Sequence, residues 1–422
     1  MKSVPSDSHR LALVLSGGGA RGAYEAGVIH YIRTKLKPEH GGARNFEVQC
    51  GSSVGAINTC FMAAHADNTK LQGQKLFQIW SDLKREHIYE RNIGALGALM
   101  GRTTRSISSN LLKLYSKGGG TPPSSHFKGF LDTSPLPTYL NSIIPFKKIR
   151  QNLRAGLLSA VSITATNIST GRMELFIQKR PNVDYTGAYV HSITDLTAEH
   201  VRASASMPLI FQPIKIKNTY YTDGGLKLNT PMSPAIQLGA TKVMMIGSHH
   251  FYKHGEKLMY TTPSNQQPSL GQMAGQVMNA LFLDRLRYDI EQLNRINRLI
   301  DWSEKVYGSD YLDRINHMLD QENIHGDIAD RGLKRIQLFT IFPSRDVSEL
   351  FAECYDCTKG MLESFSTYER VLLRILDIDP TAGVDILSYL GFMPVYLKRL
   401  LELGYEDAAA QHDDLVAFLT AD

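Results

Sequence analysis

The 422-residue chain predicts an α/β protein: a largely parallel central sheet flanked by helices, followed by a mostly helical C-terminal region. Three observations carry that prediction. Short runs of consecutive apolar residues bounded by glycines read as strands buried on both faces. Those runs alternate with stretches of helical spacing, the pattern of a parallel sheet with crossover helices. Beyond residue 276 the apolar spacing is mostly helical.

Leu11–Ser16 (LALVLS) is the first strand, Gly17–Gly22 (GGGARG) a tight loop, and Tyr24–Leu36 a helix. Phe46–Cys50 (FEVQC) is a second strand that runs straight into Gly51-Ser52-Ser53-Val54-Gly55, with an apolar helix from Ala56 to Ala66. Ser159–Thr166 and Gly171–Ile177 are the next two strands. Ile214–Tyr221 reads as a hairpin turning at Lys217-Asn218, and Lys242–Gly247 (KVMMIG) as another buried strand. Residues 254–275, rich in Gly, Pro, Ser and Gln, read as a linker or second loop. Helical spacing then covers Gln276–Ile300, Asp301–Leu319, Val347–Leu376 and Leu387–Leu403. The chain therefore divides into an α/β domain over 1–255 and a helical, acidic region over 256–422.

Hydrophobic residues at 43% and charged residues at 21% supply a real core, which excludes a wholly disordered, collagen-like or disulfide-scaffold chain. No run of about 18 apolar residues is present, so no helix is expected to span a bilayer. The N-terminus MKSVPSDSHR is polar, and the apolar stretch after it is too short for a signal peptide. The expected setting is cytoplasmic, without Sec export. Among four cysteines, Cys354 and Cys357 form a lone CxxC with neither a second pair nor a histidine partner. With no acidic calcium loop either, the sequence predicts no metal and no cofactor.

Charge is uneven. Residues 1–300 carry 35 basic and 18 acidic side chains, residues 301–422 carry 11 and 23. That asymmetry predicts a front part that meets an anionic membrane surface, as a peripheral protein, with no nucleic-acid partner. The alternative is that the two parts neutralise each other in the fold. Residues 91–130 contain Arg102, Arg105, Lys113 and Lys117 among apolar positions and no acidic residue. They are a candidate lid or membrane-contacting insertion, or an ordinary surface excursion.

Gly51-x-Ser53-x-Gly55 between a strand and a helix is a nucleophile elbow. The serine must take a sharp turn, and the glycines let strand and helix approach without Cβ clashes. Gly17-x-Gly19-x-x-Gly22 also satisfies the dinucleotide fingerprint, but the second strand ends at Cys50 and enters the elbow, where that fingerprint wants an acidic residue. The other reading is an oxyanion hole whose donors are the Gly18 and Gly19 amides, with Arg21 fixing the loop or adding positive charge. Asp223 of Asp223-Gly224-Gly225, where glycines again permit close approach, is a candidate base for Ser53, or else part of a simple turn. A Ser-His-Asp triad through His249 or His250, after the Lys242–Gly247 strand, is the alternative.

Together these residues resemble patatin-like phospholipases, serine acyl hydrolases with a Ser-Asp dyad. The resemblance covers roughly residues 11–250. Gly17–Gly22 is similar to the family's oxyanion loop, Gly51–Gly55 to its elbow, and Asp223-Gly224-Gly225 with Asn229-Thr230-Pro231 to its aspartate block. Leu131–Leu136, Ala203–Pro208 with Phe211 and Pro213, and Thr164–Asn167 with Thr170-Gly171 resemble the blocks between. Leu387–Ala408 is similar to C-terminal segments of bacterial members. The resemblance implies a three-layer fold and hydrolysis of fatty acyl esters of phospholipids or lysophospholipids, with Ser53 as nucleophile and Asp223 as base. Two alternatives accompany it: a soluble carboxylesterase or acyltransferase of the same fold, and a latent membrane-binding protein opened by an activating partner or by homo-oligomerisation.

Overall fold

The computed structural model describes residues 10–91, 129–185, 187–251, 270–321, 333–357 and 384–421. Arg102, Arg105, Lys113 and Lys117, most of the 91–130 insertion, and most of the 254–275 linker lie outside the described residues.

The first apolar run forms β1 (Arg10–Leu15). Side chains alternate across a strand, so Leu11, Leu13 and Leu15 enter one hydrophobic layer while Ala12 and Val14 enter the other. A strand buried on both faces must sit mid-sheet, and β1 does. It pairs in parallel with β2 (Val48–Ser52) on one side and β10 (Ala240–Ile246) on the other. Between β2 and β10 the chain forms β3 (Glu90–Arg91), β4 (Leu131–Asp132), β5 (Ala160–Asn167), β6 (Met173–Lys179), β7 (Val190–Ile193), β8 (Ile214–Ile216) and β9 (Thr219–Asp223). The last strand is β11 (Gln337–Ile341). The main sheet runs β11-β10-β1-β2-β5-β6-β7, with the β8–β9 hairpin attached to β5. The five strands from β11 to β5 are mutually parallel, and β6 is antiparallel to β5. β3 and β4 pair with each other where the insertion leaves and returns.

One register decides the active site. β2 pairs with β5 up to Ser52 opposite Thr164, and β9 takes over the same edge of β5 from Ala165, opposite Asp223. The ends of β2 and β9 therefore meet head to head.

The helices Gly22–Lys35, Val54–Ala64 and Thr69–Ser81 cover one face, joined by Pro394–Ala410 from the C-terminal region. Met232–Gln237 and part of Leu270–Tyr307 cover the other. Gly27 and Gly404 let Gly22–Lys35 and Pro394–Ala410 cross backbone to backbone: a Cβ at either would lie 2.1 Å from a carbonyl oxygen of the other helix.

The C-terminal region departs from the expected pattern in three places. Gln337–Ile341 adds a parallel edge strand in a stretch given no element by its spacing; it draws its partner from β10, a pairing with no local signal. The helices expected to part at residue 300 are continuous to Tyr307, because the breaker is Gly308 in the left-handed region at φ +101°. The Leu387–Leu403 helix is instead two, Val384–Tyr389 and Pro394–Ala410. Pro394 disfavours helix at the residue before it, and Met393 is extended at φ −117°, ψ 134°. Among the described residues no helix is long and apolar enough to cross a membrane.

Candidate active site

β2 ends at Ser52 and the next helix begins at Val54, so Ser53 alone makes the turn. Its backbone sits at φ 53°, ψ −125°, a conformation that costs a residue with a side chain about 1–3 kcal/mol. The turn sets Oγ at a helix N-terminus, where free N–H groups and the helix dipole favour negative charge. Of the two adjacent serines, Ser52 is fully buried and its Oγ accepts a hydrogen bond from Thr164 Oγ1 at 2.7 Å, while Ser53 lines a cleft.

Ser53 Oγ donates to Asp223 Oδ2 at 2.6 Å, and Asp223 Oδ1 accepts the Gly225 amide at 2.7 Å. Gly224 cannot carry a side chain, since a Cβ there would lie 2.1 Å from Thr164 Oγ1. Burial pushes the Asp223 carboxyl up to about 7, with the Ser53 and Gly225 hydrogen bonds opposing that shift. Two serines not singled out as functional align the pair. Ser204 Oγ accepts the Ser53 amide at 2.9 Å, and the carbonyls of Ser204 and Ser206 accept the amides of Gly224 and Asp223. The only sequence signal for them was the Ala203–Pro208 block.

The glycine loop lies against Ser53: a Cβ on Gly17 would come within 3.0 Å of Ser53 Cβ. The Gly17 amide donates to the Asn229 carbonyl at 3.0 Å, which ties down the start of the loop. The amides of Gly18 and Gly19 donate to no other group among the described residues, which leaves both available to an anion. Gly19 has φ +58° and lines the cleft. Gly22 seats its helix on the elbow, because a Cβ there would strike the Val54 side chain at 2.6 Å. Arg21 fixes the loop from behind. It is buried, and its guanidinium bonds Ser388 Oγ and the Asp385 carbonyl and covers the Tyr389 ring at 4.0 Å.

The two histidines sit elsewhere. His249 engages Ser248 Oγ through Nδ1 at 3.0 Å and the Tyr389 hydroxyl through Nε2 at 2.5 Å. Burial holds its pKa well below the usual imidazole range. His250 Nδ1 faces the Pro343 carbonyl at 2.7 Å. The carboxylate on Ser53 is the only titratable partner its Oγ has among the described residues, so the triad arrangement is not formed.

A narrow apolar cleft opens from Ser53 and Asp223. Ile57 and Phe61 of the elbow helix form one wall, and Leu76, Ile79 and Trp80 of Thr69–Ser81 a second. Leu136, Tyr139, Leu140 and Ile143 come from Leu136–Ile143. Tyr389, Leu390 and Phe392, from the break between the two C-terminal helices, complete it. No sequence signal tied those three to the site. Beneath the elbow, Asn58 bonds the fully buried Glu25 at 2.8 Å and accepts Trp80 Nε1–H at 2.9 Å. Burial pushes Glu25 up to about 8.

Residues 13–236, which hold the glycine loop, the elbow and Asp223, match the family model described as patatin-like phospholipase, and the chain belongs to that family. It is 26% identical over 231 residues to "Probable lipid hydrolase 463L" of Invertebrate iridescent virus 6, a match over 53% of this chain and 63% of that protein, less than two thirds of the relative's length. Among solved structures it is similar to VipD from Legionella pneumophila, at 14% identity and TM-score 0.31 over 96% of this chain and 67% of that one. It is also similar to the heterodimeric ExoU–SpcU complex of the type III secretion system of Pseudomonas aeruginosa, at 14% identity and TM-score 0.27 over 98% and 75%.

Proposed function

We propose that this chain is a serine acyl hydrolase that cleaves fatty acyl esters of phospholipids or lysophospholipids through a Ser53–Asp223 dyad. The observation that carries the reading is the 2.6 Å hydrogen bond from Ser53 Oγ to a buried carboxylate in an apolar cleft. An ordinary carboxylate is a weak base for serine. Burial that lifts Asp223 to about 7 strengthens it and still leaves it ionised in about half the molecules at neutral pH.

Ser53 Oγ attacks the ester carbonyl carbon and passes its proton to Asp223 Oδ2. The carbonyl oxygen gains negative charge and is received by the Gly18 and Gly19 amides. As the C–O bond to the alcohol breaks, Asp223 returns the proton to the leaving oxygen, and the acyl group stays on Ser53. Water then attacks the acyl-enzyme with Asp223 again as base, releasing the fatty acid and restoring Ser53. The apolar cleft suits one acyl chain. The basic surplus over residues 1–300 favours anionic lipid surfaces, each nearby Lys or Arg contributing about 1 kcal/mol that added salt removes.

The test is fatty acid release from anionic phospholipid vesicles and from a lysophospholipid, in EDTA. Ser53→Ala is expected to lower release at least about 10³-fold with an unchanged fold. Absence of release by the wild type, with Ser53 unlabelled by a fluorophosphonate, overturns the reading. The cleft makes a second expectation. Leu140→Trp fills it and should lower kcat/KM on a dodecanoyl nitrophenyl ester about tenfold while the butyryl ester changes less than about twofold. Equal losses on both esters would remove the acyl-chain role of the cleft.

A further inference from the structure

The segment that ends at Tyr389 holds the oxyanion loop by three independent contacts. Backbone meets backbone first: a Cβ on Gly19 would lie 2.2 Å from the Tyr389 carbonyl oxygen. Arg21, two residues along the loop, reaches into the same segment. Its Nε and Nη2 donate to Ser388 Oγ at 3.1 and 2.6 Å, and its guanidinium lies 4.0 Å over the Tyr389 ring. The third contact runs through the hydroxyl. Ser248 Oγ donates to the Gly17 carbonyl at 2.6 Å, His249 Nδ1 lies 3.0 Å from Ser248 Oγ, and His249 Nε2 lies 2.5 Å from Tyr389 Oη.

One arrangement of protons satisfies that chain. The Ser248 hydroxyl proton goes to Gly17, so Ser248 Oγ accepts from His249 Nδ1–H, and Nε2 is left to accept from the Tyr389 hydroxyl. A neutral imidazole and a neutral phenol are what it needs. Burial favours both, lowering His249 and raising Tyr389. The loop is thus gripped at Gly17 through Ser248 and His249, and at Gly19 and Arg21 directly. Both grips close on Tyr389, whose ring also lines the cleft beside Ser53 and Asp223.

We infer that Tyr389 is a positioning residue: with His249 and Arg21 it fixes Gly17–Arg21 so that the Gly18 and Gly19 amides point at the acyl carbonyl oxygen. The C-terminal region then completes the active site. This rests on the hydrolase reading. The physical ground is that oxyanion donors act by being held in place before charge develops, and losing one donor typically costs about 10²–10³-fold in kcat.

Tyr389→Phe tests it, because the ring and its contact with Arg21 stay while the hydroxyl goes. Nitrophenyl esters from acetyl to decanoyl are measured at a pH on the activity plateau. Expected is a fall in kcat of about 10–100-fold, by the same factor at every chain length, with KM changed less than about twofold. His249→Leu, which breaks the same circuit from the other side, should give a similar fall. The double variant should fall little further, since the two groups act as a unit. Either single variant, if folded by circular dichroism, suffices for the test. Wild-type kcat in a folded variant overturns the inference, and so does a loss confined to KM of long-chain esters, which would make Tyr389 only a cleft wall. Absence of any Ser53-dependent turnover in the wild type overturns the hydrolase reading itself and this inference with it.

Discussion

Asp223→Asn is expected to lower ester turnover at least about 10³-fold and yet to melt at a higher temperature than the wild type at pH 8. The asparagine can still accept the Gly225 amide that Asp223 Oδ1 accepts at 2.7 Å, so the turn keeps its tie. It cannot take the Ser53 proton. The stability gain follows from burial. The folded-state pKa is raised from 3.8 to about 7, so between those values the folded wild type holds the proton that the unfolded chain has lost. Below the lower value both states are protonated and burial costs nothing on this account. As pH rises through the window the unfolded chain ionises while the buried carboxyl cannot, so wild-type stability falls by a few kcal/mol and levels off once Asp223 itself ionises near 7. The melting-temperature gap should therefore be small near pH 4, widen towards 7, and stay constant above. Glu25 destabilises with rising pH in the same way, through about 8, but it is present in both proteins and cancels.

The same ionisation sets the activity profile. Wild-type kcat/KM should rise about tenfold per pH unit below 7 and level above it, because only the ionised carboxylate accepts the proton. Thermal melts and initial rates across this range check both halves. A variant less stable than wild type at pH 8 would mean that the carboxylate is not the desolvated group described.

The other large effect is expected from Gly55→Ala. Its Cβ would lie 2.5 Å from the Leu15 carbonyl oxygen and 2.6 Å from that of Ser16. Both atoms belong to the backbone at the end of β1, which is locked between β2 and β10, so neither can retreat without parting the sheet. The cost should be about 3 kcal/mol. The displaced elbow should also lose the 2.6 Å contact from Ser53 to Asp223, with activity falling towards that of Ser53→Ala. Gly171→Ala is the control. Nothing lies within 4 Å of its Cβ and only φ +63° resists, for about 1 kcal/mol and no loss of turnover. Equal effects at the two glycines would remove the argument from close approach.

The elements nearest the chemistry were the most legible. Leu11–Leu15, the glycine loop and the Gly51–Gly55 elbow are local features, in which the residue types needed for a buried strand or a sharp turn stand next to each other. Asp223 could be named because an Asp-Gly-Gly turn is local as well. What was illegible is what depends on distant partners. Gln337–Ile341 is strand because β10 offers it an edge, whereas by itself it is a short apolar run between helical stretches. The break before Pro394 was missed, since the spacing read Leu387–Leu403 as one helix, and with it the turning of Tyr389, Leu390 and Phe392 into the cleft. The roles of His249 and Arg21 were open for the same reason: neither spacing nor charge says which way a side chain turns.

The sequence by itself determined the family and the two residues proposed for the chemistry, because they stand in contiguous glycine-rich motifs, and the α/β class, because buried apolar runs alternate with helical spacing along the chain. Tertiary structure decided how those motifs meet. The register that ends β2 opposite Thr164 and β9 opposite Ala165 brings Asp223 to Ser53 across 170 residues of chain. It also decided that the C-terminal region closes the cleft and grips the Gly17–Arg21 loop. Contacts between residues so far apart arise only when the sheet and its covering helices have packed, since their energy lies in burial and hydrogen bonding that no local segment can supply.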